Sequence, residues 1–150
     1  MTTNSQQIRI SATIAVDAAL TAIAAGMAEA TRRGAALSFA VVDGAGHLVA
    51  AARMDGAPFS TLDIARGKAF ACAATGGQPG GELAKRFAEN PAVWSNAGPL
   101  GSGAPLLPAR GSLPIRQGAA LVGAMAASGA PSEVDEAVVT HALATLGLDR

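Results

Sequence analysis

Residues 37–53 read LSFAVVDGAGHLVAAAR. Two β-prone runs, 37–43 and 47–53, flank Asp43-Gly44-Ala45-Gly46. Asp and Gly tolerate the positive backbone angles of a hairpin turn, so the stretch predicts two antiparallel strands. The return strand stops at Arg53-Met54-Asp55-Gly56, and Ser60-Thr61-Leu62-Asp63 follows with the spacing of a capping box. A helix is expected from there to about Ala74, where TGGQPGG (75–81) breaks it.

Upstream, Ser11 is a candidate cap for a first helix running to about Arg33, with Val16, Leu20, Ile23, Met27 and Ala30 as its apolar stripe. Asp17, Thr21, Glu29 and Arg32 lie elsewhere on that wheel, and Gly34 stops the helix. Downstream, a short helix is expected to about Glu89, and residues 90–111 read as a long loop with four prolines and four glycines. Residues 112–129 predict a second hairpin around Gln117-Gly118. A last helix starts near Ser132-Glu133-Val134-Asp135, with Val134, Val138, Ala142 and Thr145 on one stripe. This order predicts an α+β fold around an antiparallel sheet.

The 150 residues suggest a single domain, 1–150, with 1–9 flexible. Eleven bases balance eleven acids, which speaks against nucleic acid as a partner and favours self-association. Cys72 is the only cysteine, so no intrachain disulfide forms, as in a cytoplasmic protein. The polar start MTTNSQQIRIS has no signal-peptide pattern, and no long uncharged apolar run points to a membrane.

VVDGAGHLVAAARMDGAPFSTLDIARGKAFA (41–71) and LPIRQGAALVGAMAASGAPSEVDEAVVTHAL (113–143) resemble the GlcG/HbpS family of haem-degrading-like domains, which includes the C-terminal domain of PduO-type proteins. The resemblance covers nearly the whole chain from about residue 10. It implies a profilin-like layout with a five-stranded antiparallel sheet flanked by helices. It also implies homo-oligomers, dimeric or higher, and a pocket for a small molecule, with haem as a cofactor in some relatives. Three departures stand out. The first helix lacks the histidine that haem-binding relatives can use on iron. The usual Gly-Gly before the Pro-Ile strand is Arg110-Gly111-Ser112, and the closing Gly-Ala-Ile-Gly-Val-Ser-Gly is Gly123-Ala124-Met125-Ala126-Ala127-Ser128-Gly129.

Few residues are equipped for chemistry. Arg53 suits a two-pronged contact to a carboxylate or haem propionate, or an ion pair with a nearby acid. Asp55 reads either as part of that site or as a carboxylate bonding its own turn. His47 shares an alternating strand face with Val49, Ala51 and Arg53. Its imidazole is suited to iron or to general base work, or simply stands beside a turn. Lys68, where the resemblance places a lysine, reads as a partly buried anion partner or base, or as a surface lysine tied to Asp63 or Asp55. Arg66 should face solvent. Met54, Met125 and Cys72 are soft iron donors on one reading and packing on the other. His141 falls on the last apolar stripe as a core or interface histidine, and Ser128 has no nucleophile elbow around it. No spacing demands a bare metal site.

Two functions follow. One is a small-molecule-binding protein for haem or another anionic organic ligand, held by Arg53, Lys68, His47 and Met54. The other is a cofactor-independent isomerase or lyase for a small carboxylated or carbonyl metabolite. There Arg53 orients substrate, Lys68 neutralises charge, and His47 or Asp55 moves the proton.

Overall fold

In the computed structural model, which describes residues 7–97 and 106–148, the opening hairpin is β1 (Ser38–Asp43) and β2 (Leu48–Arg53). Asp43 Oδ1 accepts the N–H groups of Ala45 and His47, at 2.9 and 3.0 Å, and closes the turn. The second hairpin is β3 (Ser112–Gln117) and β4 (Ala120–Ser128). β1 and β4 pair antiparallel at the centre, giving the order β2-β1-β4-β3.

The described residues form four strands where five were expected. β4 overhangs β1, because β1 pairs with Gly123–Ser128 only. Beside the overhang, the Ile14 N–H donates to Val122 O at 2.9 Å. That bond holds the leading segment extended without building a ladder.

Helices α1 (Val16–Arg32) and α5 (Ser132–Ala144) cover one face of the sheet, and α2 (Ser60–Ala74) covers the other. With both faces covered, β1 is buried nearly throughout. Phe39, Val41, Met125 and Ala127 point to the α1/α5 side, while Ala40, Val42, Ala124 and Ala126 meet Ala65, Ala69 and Cys72 of α2. Alanine on both surfaces lets α2 lie close to the strands, so the core needs few aromatic rings. α3 (Gly80–Glu89) and α4 (Pro91–Ala97) follow α2.

The local expectations need four corrections. α1 begins at Val16 rather than near Ser11, because Ile14 is buried and tied to β4. Its buried face is Ala19, Ala22, Ile23, Gly26 and Ala30, while Val16 and Leu20 are exposed. At Gly26 an added Cβ would sit 2.7 Å from the Phe39 ring, so the small-residue side faces the sheet. α2 has no side-chain cap; the Thr61 hydroxyl instead donates to Pro58 O at 2.6 Å. Residues 91–97 of the expected loop are helical, with proline at the first position, where its missing N–H costs no bond. Residues 98–105 of that loop, and 1–6 of the leading stretch expected to be flexible, lie outside the described residues.

Candidate functional site

The structure disperses the residues singled out from sequence. His47 sits at the β1–β2 turn with its side chain 77% exposed. Its Nδ1 lies 3.6 Å from Asp43 Oδ2, with Nε2 on the far side of the ring. A register shift at Val41/Val42 pairs Val42 with Leu48, leaving Val49 as the extra residue of a bulge. The bulge breaks the alternation that was expected to put His47 and Arg53 on one face. The two also stand at opposite ends of β2, about 20 Å apart for an extended strand.

Arg53 is exposed, and its Nη1 donates to Ala57 O at 3.0 Å. Asp55 is exposed in the following turn, which the Ala57 N–H closes by donating to Met54 O at 3.1 Å. Met54 is half-buried, and its sulfur accepts the Leu37 N–H at 3.3 Å. Nearby, the Thr61 hydroxyl proton goes to Pro58 O, so Ser38 Oγ donates to Thr61 Oγ1 at 2.8 Å.

Lys68 is neither on the surface nor tied to Asp63 or Asp55. It is buried between α2, β4 and α5, where Nζ donates to Ala127 O at 3.1 Å and to Asp135 Oδ2 at 3.2 Å. Asp135 is 2% exposed, and its Oδ1 accepts the Ala130 N–H at 3.1 Å. Burial pushes the Asp135 carboxyl above its ordinary value, against the pull of Lys68. Gly111 covers the pair: at its φ of +127° a side chain is strained, and a Cβ would stand 2.8 Å from Lys68 Nζ. Arg53 on β2 is separated from this pair by β1, two strand spacings or about 10 Å. Among these four, only Lys68 is buried, while Arg53, His47 and Asp55 are exposed.

The remaining candidates are also placed. Cys72 is fully buried, and burial pushes its thiol up to about 12. Met125 is fully buried, and Ser128 ends β4 opposite Ser38. His141 is exposed on α5 rather than in the core. Among the described residues no three of His, Cys, Asp and Glu cluster to hold a metal ion. No helix of those residues is long and apolar enough to cross a membrane.

Sequence reasoning passed over Asp135 as a mere helix start. The signal was available: Asp135 shares a helical face with Val138 and Ala142, where a carboxylate needs a buried cation. It also passed over a cavity of about 300 Å³ beside β3, walled by Leu113, Ile115, Leu143, Leu146 and Leu148 and edged by Arg116. None of the residues singled out from sequence lines it.

Comparison with known proteins places this geometry. The family described as "Haem degrading protein HbpS-like" matches residues 14–144. The crystal structure of HbpS is 29% identical with a TM-score of 0.84, covering 98% of this chain and 99% of that one. A double mutant of HbpS from Streptomyces reticuli is 30% identical with a TM-score of 0.84, covering 98% and 96%. The PduOC:Heme complex shares the fold at 19% identity and a TM-score of 0.78, covering 88% and 94%. No curated protein sequence matches the chain. With most of its length inside the matched region, the chain belongs to the HbpS-like family of haem degrading proteins.

Proposed function

We propose that this protein binds haem, with other anionic organic molecules as weaker ligands, and performs no chemistry with the dispersed side chains above. The family match over residues 14–144 carries the proposal. The fold shared with a protein solved with heme supports it. When bound, haem supplies a redox-active iron.

The donor chemistry narrows the residues. Cys72 and Met125 are buried, and the Met54 sulfur already accepts a backbone N–H. His47 presents an exposed imidazole whose Nδ1 stands 3.6 Å from Asp43 Oδ2, leaving Nε2 open on the far side of the ring. His47 is our candidate iron ligand. Arg53 keeps guanidinium donors beyond the one on Ala57 O and is our candidate partner for a carboxylate. The distance between them makes these two separate contacts. Lys68 serves the fold through Asp135.

Haem titration of the purified apo-protein, followed by absorbance, tests this. The expected result is a saturable one-to-one change with a shifted Soret band. His47→Ala should alter that band and weaken binding at least about tenfold, the loss typical of removing a metal-site interaction. A spectrum that never saturates overturns haem binding. A His47→Ala spectrum identical to the parent's overturns the ligand assignment.

A further inference from the structure

We infer that residues 8–14 are an exchanged strand, pairing with the outer edge of β2 in a second copy of this chain. The segment reads Ile8-Arg9-Ile10-Ser11-Ala12-Thr13-Ile14, with an apolar side chain at every second position. That alternation belongs to a strand with one covered face. Within one copy only the last residue has a place: Ile14 is buried, and its N–H is bonded to Val122 O. Ile8 and Ile10 are 60% and 83% exposed, and the segment joins no ladder among the described residues.

The sheet has two edges, and they differ in what they offer. The Met54 N–H donates to Leu37 O, so by the alternation of an antiparallel ladder Met54, Ala52 and Ala50 bond to β1. Ala51 and Arg53 therefore turn their N–H and C=O groups outward. Among the described elements β2 meets only β1, α1 and α2, so none lies along that edge. Its six residues include no proline, lysine or acid, the usual guards of a free edge. β3 is the opposite case. The Ala127 N–H donates to Gly111 O, which by the same alternation turns Pro114 outward. Proline has no N–H to give, so that edge is closed to a further strand.

The exposed segment supplies what the β2 edge lacks. Both are about 20 Å long when extended. Leu48, 44% exposed, and Ala51 pair with Val42 and Ala40, so they project to the α2 side and offer an apolar strip to Ile8 and Ile10. The segment is anchored to its own β4, and β1 separates that strand from its own β2. A second copy brings the two together, and exchange of an identical element between copies is a low-cost route to association. Eleven acids and eleven bases leave no net charge to hold the copies apart.

The test mixes two variants of the full chain, Ile10→Cys and Ala51→Cys, and treats them with a short bis-maleimide. Both positions are exposed, and the buried Cys72 stays out of the reaction. Docking holds the two thiols at a high effective concentration, so the mixture should give at least about ten times the two-chain product of either variant alone. A two-chain product from Ala51→Cys alone overturns the proposal, because β2 then pairs with itself. A cross-link confined within single chains of the double variant Ile10→Cys/Ala51→Cys also overturns it, because the segment then folds back on its own edge. Absence of any product overturns it as well. Independently, Ile8→Asp combined with Ile10→Asp should at least halve the mass read by light scattering, and an unchanged mass counts against the exchange.

Discussion

Gly26 shows how little slack a single residue has in this chain. It lies on α1 against the Phe39 ring, and a methyl group there would overlap the ring at 2.7 Å. Phe39 is fully buried in the larger core and has nowhere to retreat. Overpacking of this kind costs about 1–3 kcal/mol. Gly26→Ala should therefore lower stability in urea by that amount, although alanine is the better helix former. Unchanged or raised stability would show that α1 can shift. Cys72 is a second case. A thiol pushed up to about 12 by burial holds almost no thiolate near neutral pH. A disulfide reagent at pH 8 should leave it untouched in the native protein and label it fully in denaturant. Fast native labelling would mean that α2 opens. The packing role of Cys72 was one of its two readings from sequence and is what the structure shows, whereas the close approach at Gly26 was not legible there. Each depends on which strand lies opposite.

At the scale of elements, the buried Lys68–Asp135 pair ties α2 across the sheet to α5. Removing one partner of a buried pair strands the other charge and costs about 3–5 kcal/mol. Lys68→Ala should lower stability by that much, and Lys68→Met with Asp135→Leu should recover most of it, both measured by urea unfolding. A loss below about 1 kcal/mol for Lys68→Ala would mean that water reaches Asp135. The two hairpins and the main helices were legible because their signals are local: Asp43-Gly44 in one turn, Gln117-Gly118 in the other, and strand or helix periodicity between breakers. The candidate site was much less legible. His47 and Arg53 looked like neighbours on an alternating strand until the bulge at Val41/Val42 broke the alternation. Lys68 looked like a ligand until α5 brought Asp135 to it over 67 residues of chain. Pairings of that range leave no trace in local spacing.

Across the whole molecule, two carboxylates set opposing responses to acid. Glu29 is held by Arg32 at 2.7 Å and by Arg33 at 2.9 Å, and these hydrogen bonds lower it from its ordinary 4.5 to about 2. A carboxylate lowered in the folded state stabilises the protein at pH above about 4.5 and loses that contribution as pH falls through about 2. Asp135 has the opposite sign. Its carboxyl is raised by burial, so the native state takes up its proton at a higher pH than the unfolded chain does. Falling pH then favours the native state until the unfolded chain's aspartate protonates as well, below its ordinary 3.8. With Glu29 intact, the two contributions offset each other in part. Glu29→Gln removes the destabilising limb and keeps that of Asp135. Urea midpoints measured from pH 6 to pH 2.5 should fall less steeply for Glu29→Gln than for the parent, and the variant should be the less stable of the two at pH 6. Parallel curves would mean that Arg32 and Arg33 leave Glu29 in solution. A steeper curve for the variant would mean that α1 depends on the carboxylate for more than its charge.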